Sequence, residues 1–529
     1  MPSFLLPAGL GLPDLLERLA PAGAVEAGLD GTSRRTFLDS FDWRLHRAGW
    51  SLERTGDGAR SRLRLRPLDG GPPIARHAGP AVRFARELPA GELRNRLEPI
   101  LHPRALLAFA IADVTETPIT VRSAPGRATT RLMFVSALVG PPDALPSLPL
   151  RPVLTVPPGP RAAAVSALCA SWLDCEPAPM DRIAAMLEPL GRSPQDYSGK
   201  VKVPLAGTLP SRDAARAVLL HLLGTMTANL PGTRADLDPE FLHDLRVAVR
   251  RTRSALGQIK GVLPPATGAR FTRAFSWLQE LTGPARDLDV FVLELPALGE
   301  LLPPRSRRSL GPLARLLERH RRAAYFDLAR ELDSPRFVRL LADWRAFLLQ
   351  PAPKRPSGAP NALRPCAELA VERIGKLLRR ALREGAAIEA ASPPADLHEL
   401  RKTCKKLRYL VEFFNSLLDR DQAEAAIASL KGLQDTLGRF QDLQVQADAL
   451  LGYARELAHE GKATPPTYIA LGMLVERLRE QQARARIEFA ARFGELSRKA
   501  GRKSWKRLLA GAAKAGASAE NMAATNGKE

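Results

Sequence analysis

The sequence is poor in cysteine and in aromatic residues, and it contains no long apolar run. Its four cysteines, among 529 residues, are too few and too scattered for a disulfide framework: Cys169, Cys175, Cys366 and Cys404. No apolar stretch approaches the roughly 20 residues that cross a bilayer, so we expect no membrane association. The first residues lack a basic leader, which predicts no signal peptide and a cytoplasmic location with reduced cysteines.

Signatures of catalysis are also missing. The sequence has no nucleophile triad, no glycine-rich phosphate loop and no His/Cys cluster at metal-binding spacing. The glycines of "GLGLPDLLERL", near the start, precede a helix pattern but lack the lysine of a phosphate loop. We therefore predict no cofactor and no metal ion.

Negative charge is scarce relative to positive charge, and the imbalance is uneven. The net charge is +22; residues 1–200 hold 24 Lys and Arg against 20 Asp and Glu, and the remainder holds 54 against 36. This excess predicts a polyanionic partner that binds after residue 200. The alternative is an ordinary solvated surface whose cations happen to be arginine. The spacing of the basic residues has to decide between the two.

The pattern of the chain predicts an α+β protein of several domains. Residues 30–140 have strand signals, including the alternating "SRLRLRP" and a hairpin formed by "TPITVRS" and "TTRLMFVSALV" around "APGRA". A short helix is expected near "RAAAVSALCASWL", and amphipathic helices from about residue 209. We predict a β-rich domain over 1–200, helical halves over 209–350 and 362–510, a Pro-rich linker over 351–361 and a disordered tail over 511–529.

The two helical halves are copies of one another. "HDLRVAVRRTRSAL" begins at His243 and "HELRKTCKKLRYLV" at His398, 155 positions later. Downstream, "LQELTGPARDLDV" at Leu278 and "LQDTLGRFQDLQV" at Leu433 keep the same offset. Two motifs at one offset indicate an internal duplication.

Each copy of the first motif places its cations on one helix face. At 100° per residue, His243, Arg246, Arg250 and Arg253 fall within about 80° of one another, and His398, Arg401, Lys405 and Arg408 do the same. Leucines occupy another side of each helix. Like charges one turn apart repel, so an unpaired cationic stripe is best explained by a partner that brings negative charge.

Two alternatives remain for these residues. A single basic stripe is commonly a solvated face, and a single helical histidine is commonly a packing residue. Duplication in fixed register favours a shared cationic groove between the halves that follows a linear chain of phosphates, because the guanidinium fork holds phosphate oxygens in pairs. If the histidines titrate there, we expect binding to strengthen as the pH falls through the histidine range.

These motifs resemble the conserved histidine α-helical domain, the CHAD family, over about residues 209–510. The resemblance implies two related four-helix bundles with a basic cavity between them and inorganic polyphosphate as the ligand. Carried over by position, the polyphosphate-binding candidates are His243, Arg246, Arg250, Arg251, Arg253, His398, Arg401, Lys402, Lys405, Lys406, Arg408 and Tyr409.

The N-terminal domain is similar, more weakly, to the CYTH or triphosphate tunnel family, in "RRTFLDSFDWRLHRAGWSLER", "RSRLRLR" and "SPQDYSGKVKVPL". That family holds its metal with alternating glutamates on an opening strand and with acids on a later strand. Here "AVEAGLDGTSRR" offers Glu26 alone, and "LRPVLTVPPG" offers no acid. Because these metal-binding acids are missing, we expect a tunnel that resembles the family's but is degenerate and non-catalytic.

We expect a non-enzymatic polyphosphate-binding protein on polyphosphate granules of a bacterial cytoplasm. The alternative is a metal-dependent triphosphatase or a cyclase-like enzyme of the CYTH type. Nucleic-acid binding is disfavoured, because the motifs contain no aromatic platform on which single-stranded bases stack.

Overall fold

The computed structural model divides the chain into two compact units, Met1–Ser198 and Gly199–Glu529. It describes residues 3–56, 61–69, 71–122, 129–157, 175–179, 181–351, 357–389, 391–498 and 501–511. Several sequence expectations fall outside these residues: the turn "APGRA", the short helix near Cys169, residues 352–356 of the linker and nearly all of the C-terminal tail.

The first unit is built on an antiparallel sheet. Within the described residues its strands are β1 (Ser3–Leu5), β2 (Ala24–Ala27), β3 (Gly31–Asp39), β4 (Trp50–Thr55), β5 (Arg62–Pro67), β6 (Ala75–Ala78), β7 (Leu107–Arg122), β8 (Thr129–Gly140), β9 (Leu148–Pro149), β10 (Val153–Thr155) and β11 (Glu176–Pro177). They lie in the order β11-β1-β10-β8-β7-β3-β4-β5-β6, with β2 beside β7 and β9 beside β8. The predicted hairpin is confirmed as the β7–β8 pair.

In the described part of this unit, four short α-helices accompany the sheet: α1 (Leu12–Leu19), α2 (Arg44–Arg47), α3 (Glu92–Leu101) and α4 (Arg182–Leu187). The alternation of "SRLRLRP" is realised in β5, where Leu63 and Leu65 are buried and pack in one cluster with Leu93 and Leu97 of α3. The arginines of β5 alternate with these leucines and so lie on the opposite face of the sheet.

The second unit is helical throughout its described part. Its helices are α5 (Ser211–Arg234), α6 (Pro239–Gln258), α7 (Pro265–Leu281), α8 (Gly283–Glu300), α9 (Pro304–Arg307), α10 (Gly311–Leu332), α11 (Pro335–Leu349), α12 (Cys366–Ala386), α13 (Pro394–Phe413), α14 (Arg420–Glu460), α15 (Pro465–Ser497) and α16 (501–511). The α+β class, with a β-rich region followed by an all-helical region, is confirmed.

The duplication is visible in the helix boundaries. Three helix starts recur 155 positions later: Ser211 and Cys366, Pro239 and Pro394, Pro265 and Arg420. The copies differ at one point, because α7 and α8 are separated at Thr282, whereas α14 runs through the equivalent position as one helix of 41 residues. Pro284 accounts for the break, since it has no N–H to continue the helix, and its counterpart is Arg439.

The hydrophobic clusters of the second unit span both halves. One hydrophobic cluster joins residues of α5–α7, such as Leu222, to residues of α12–α14, such as Leu410. A second cluster joins α8 and α10, through Leu298 and Leu316, to α14 and α15, through Leu450 and Leu474. The two halves therefore pack against each other and share these hydrophobic clusters.

The three described cysteines, Cys175, Cys366 and Cys404, are free and buried, as expected of small packing residues. Burial raises the pKa of the Cys366 thiol to about 11 and that of Cys404 to about 12. Because the reactive form is the thiolate, these two thiols are unreactive at neutral pH.

Candidate functional site

The two cationic motifs form the helices α6 and α13. The side chain of Asp238 accepts hydrogen bonds from the backbone N–H groups of Glu240 and Phe241, at 2.9 and 3.3 Å, and thereby caps α6. Both helices have a proline at their first position, where its fixed φ angle is already helical. Local sequence therefore sets the start of each cationic helix.

Burial separates the two faces of these helices. The apolar stripes are at most 1% exposed; they contain Leu242, Leu245 and Val249 in α6 and Leu397, Leu400 and Cys404 in α13. The cationic stripes are half-buried; they contain His243, Arg246, Arg250, Arg253, His398, Arg401, Lys405 and Arg408. A half-buried cation has lost part of its hydration and interacts strongly with any anion that reaches it.

The two stripes meet at a junction between α6 and α13. The Arg250 Nε donates a hydrogen bond of 2.8 Å to the hydroxyl of Tyr409, whose side chain is buried. Next to it, Glu412 accepts from Arg251 of the first copy at 2.8 Å and lies 3.3 Å from the Arg408 Nε of the second. One carboxylate thus holds together an arginine from each copy.

The charges around Lys405 identify a compact group of cations. Burial lowers the pKa of Lys405 to about 8, and repulsion by Arg401, Arg250 and Arg408 adds to this shift, while Asp442 opposes it. Since Arg250 also acts on Arg246, five cations from both copies form one electrostatic group. We call Arg246, Arg250, Arg401, Lys405 and Arg408 the cationic cluster.

Arg246 is a member of this cluster from the first copy. Burial lowers its pKa to about 10, and Asp287 partly offsets the repulsion from Arg250 and Arg286. Its Nη1 donates to the Gln279 carbonyl and to the Thr282 hydroxyl, both at 2.8 Å. These bonds anchor the guanidinium to the end of α7.

Arg401 occupies the equivalent place in the second copy. Its Nη1 donates to the Gln441 side-chain oxygen at 2.6 Å and lies 3.3 Å from Asp442. The same oxygen lies 2.7 Å from the Nδ1 of His398. Since that oxygen only accepts, Nδ1 carries the proton and the histidine ring is held beside Arg401.

A glycine of the repeated downstream motif lies beside each of these arginines. A Cβ atom on Gly438 would lie 3.1 Å from the Arg401 Nη2, and one on Gly283 would lie 3.8 Å from the Arg246 Nη1. A side chain at position 438 would displace its arginine, whereas one at position 283 would make an ordinary contact. Of the two duplicated glycines, Gly438 is therefore part of the site, a role that its spacing alone did not reveal.

Not every candidate belongs to the cluster. Lys402 is exposed and pairs with Glu399, and the charges that act on Lys406 belong to Arg380 of α12 and to Lys402, Glu399 and Glu384. These two lysines therefore lie outside the group of cations around Lys405.

Of the remaining candidates, Arg251 is engaged by Glu412 and by the Gly199 carbonyl at 2.6 Å, and Tyr409 is buried. These two residues join the copies. Arg253 and His243 are half-buried at opposite ends of the α6 stripe. Sequence reasoning missed Glu412 and Gln441; the spacing of Glu412 four residues after Arg408 was the available signal.

The first unit has its own charged group on the sheet face opposite the β5 leucines. Glu53 is buried and lies 3.4 Å from the Arg66 Nε, and Arg35 donates to Glu116 at 2.6 Å. Burial lowers the pKa of Arg182, and repulsion by Arg66 and Arg35 adds to the shift. Glu26 lies on the exposed strand β2 and pairs with Arg122.

Two kinds of feature are absent from the residues that the structure describes. No group of three or more His, Cys, Asp or Glu side chains there has a geometry that could hold a metal ion. No helix in the described part of the chain is both long and apolar enough to span a membrane.

Comparison with known proteins points to the helical unit. The family model of the CHAD domain matches residues 217–451. The crystal structure of the CHAD domain from the plant Ricinus communis is 27% identical, with a TM-score of 0.48, and covers 56% of this chain and 95% of its own. PptA from Streptomyces chartreusis is 22% identical, with a TM-score of 0.42, and covers 54% and 99%. No curated protein matches the chain. Residues 217–451, which carry the cationic cluster, are a CHAD domain.

Proposed function

We propose that the helical unit binds inorganic polyphosphate along the cationic cluster. The observation that carries this proposal is the junction of the copies, where Arg250 bonds to Tyr409 and its charge helps to lower the pKa of Lys405 to about 8. Cations brought this close repel one another until an anion is bound. The association of the CHAD family with polyphosphate supports the same ligand.

The cluster suits a chain of phosphates better than a single anion. Its members come from two helices, so a linear polymer can contact both copies at once, and each arginine can hold two phosphate oxygens. Arg246 and Arg401 are anchored by Gln279 and Gln441 respectively, which reduces the side-chain entropy lost on binding. The ligand thus meets arginine side chains that are already held in place.

Binding of this kind is governed by charge. If polyphosphate behaves like a single-stranded nucleic acid, five cations give a slope of about −3.5 in the dependence of log affinity on log salt concentration. We therefore expect affinity to fall about 100-fold between 50 and 200 mM salt. Attachment to polyphosphate granules follows from this activity and is part of the proposal.

We propose further that the protein is not an enzyme. Around Glu53 the first unit collects more arginines than carboxylates, a composition that suits anions better than a divalent metal. The competing function, a metal-dependent triphosphatase or cyclase-like enzyme, predicts phosphate release from tripolyphosphate or pyrophosphate release from ATP in the presence of Mg²⁺ or Mn²⁺. Either activity would overturn this part of the proposal.

Calorimetric titration of long-chain polyphosphate tests the binding site. The double variant Arg250→Glu/Lys405→Glu should lose most of the affinity, because two cluster cations become acids. Lys402→Glu is the matched control: it lies on the same helix as Lys405 but outside the cluster, so affinity should stay within a few-fold of wild type. Circular dichroism reports whether each variant is folded. Unchanged affinity in a folded double variant would remove the site.

Competition with DNA separates polyphosphate from nucleic acid as ligand. Tyr409, the aromatic side chain that bonds to Arg250 at the copy junction, is buried and so offers bases no stacking surface. Polyphosphate should displace single-stranded DNA of equal charge at equal salt. Displacement of polyphosphate by single-stranded DNA under the same conditions would favour a nucleic-acid function.

A further inference from the structure

A second cationic site lies between α7 and α11, in the first copy. The cleft has a volume of about 460 Å³, within the range of pockets that hold small ligands. Its lining includes Arg270, Arg273, Arg336 and Arg339, with Asp343 as the one carboxylate among the lining residues. Asp343 pairs with Arg270 and leaves an excess of three positive charges.

The floor of this cleft is apolar and aromatic. Phe271 and Leu340 are buried beneath the arginines, and Trp277 is half-buried. The Arg336 guanidinium lies 4.0 Å from the centre of the indole ring of Trp277, in contact with its face. This pair forms a flat surface with positive charge around it.

The cleft is separate from the cationic cluster. Gln279, whose carbonyl anchors Arg246, lies about 180° around α7 from Arg270. A ligand in the cleft therefore approaches α7 from the side opposite the cluster.

The second copy of the fold does not contain this cleft chemistry. At the 155-residue offset, Arg270, Arg273 and Trp277 correspond to Ala425, Ala428 and Gly432. Since the same helix forms in both copies, the fold does not need these side chains. Helix packing therefore does not explain why the first copy has these side chains.

We propose that this cleft binds a nucleoside phosphate. Such a ligand has both parts that the site offers to recognise: a flat base that stacks on the Arg336–Trp277 pair, and phosphates that Arg273 and Arg339 neutralise. Inorganic polyphosphate has no ring, so it cannot use the aromatic floor. The size of the cleft selects a free nucleotide rather than a folded nucleic acid.

The test is calorimetric titration of the full chain with ATP, adenosine and tripolyphosphate, carried out in the Arg250→Glu/Lys405→Glu background so that the cationic cluster does not contribute. ATP should bind at least about fivefold more tightly than either of the other two probes. If the affinity for tripolyphosphate equals that for ATP, the base does not use the aromatic floor, and the proposal is overturned. Absence of ATP binding at millimolar concentration, or binding of oligoadenylate without ATP, would also overturn it.

Substitutions of cleft residues test whether ATP binds in the cleft. Trp277→Leu keeps an apolar side chain and should weaken ATP about fivefold or more while leaving tripolyphosphate unchanged. Arg336→Glu/Arg339→Glu should abolish ATP binding, whereas Arg345→Glu, an exposed arginine of α11 outside the cleft, should not. ATP affinity that survives both cleft variants would place the nucleotide elsewhere. Because polyphosphate binding is measured separately in the otherwise wild-type chain, failure of either proposal leaves the other intact.

Discussion

Lys405 provides a quantitative test of the cationic cluster without any ligand. Burial and neighbouring cations lower its pKa from 10.5 to about 8 in the folded protein, whereas the unfolded chain restores the ordinary value. Between pH 8 and pH 10.5 the unfolded chain therefore binds one more proton than the folded chain, and the free energy of unfolding rises with pH. The destabilisation by charged Lys405 is complete below pH 8 and disappears above pH 10.5.

The variant Lys405→Met removes this charge and keeps an unbranched apolar side chain of similar length. One unit of pKa corresponds to about 1.4 kcal/mol, so the full shift corresponds to about 3 kcal/mol. Titration of the wild-type lysine between pH 7 and pH 9.5 recovers about 2 kcal/mol of this cost. We expect the variant to be more stable than wild type by about 3 kcal/mol at pH 7 and by about 1 kcal/mol at pH 9.5.

Differential scanning calorimetry of the full chain measures the effect on the transition of the helical unit. The variant should melt several degrees above wild type at pH 7, and the gap should narrow at pH 9.5. Lys402→Met, on the exposed side of the same helix, should change the melting temperature little at either pH. A variant less stable than wild type at pH 7, or a gap that does not depend on pH, would refute the reasoning.

Three further predictions concern the same helices. Between pH 7 and pH 9.5 wild-type affinity for polyphosphate should fall by up to about 30-fold as Lys405 loses its proton, and Lys405→Arg should lessen this fall. Equal pH profiles of affinity for the wild type and the variant in titration calorimetry would contradict a role for Lys405 in binding. Glu412→Gln should lower the free energy of unfolding by about 3 kcal/mol in urea titrations, because Arg251 and Arg408 lose their shared carboxylate, and no loss would deny its bridging role. Gly438→Ala should weaken polyphosphate binding, since the new Cβ meets Arg401, while Gly283→Ala should not; equal affinities would exclude the glycine from the site.

Much of the fold was predictable because its signals are local or periodic. The leucine alternation of β5, the β7–β8 hairpin and the two cationic helices all follow from side-chain period, and the duplication follows from a constant offset. A proline or a capping aspartate marks the start of α6. These features need only neighbouring residues to be specified.

The composition of the site was less predictable because it depends on tertiary contacts. A helical wheel places Lys405 and Lys402 near the same stripe, but packing against α12 and the other copy decides which lysine is half-buried and which is solvated. The same holds for Gln441, which appears in the sequence as a mismatch to Arg286 and in the structure as the acceptor for both His398 and Arg401.

The interleaved cores have a consequence for how such a chain arose. A half-length ancestor would have exposed the apolar surfaces that α5–α7 now bury against α12–α14, and it would have needed a second copy of itself to cover them. Joining two genes turned that encounter between molecules into an event within one molecule, which no longer depended on protein concentration. Once joined, the halves were free to diverge: one now has a proline break and an arginine-lined cleft, and the other a single long helix.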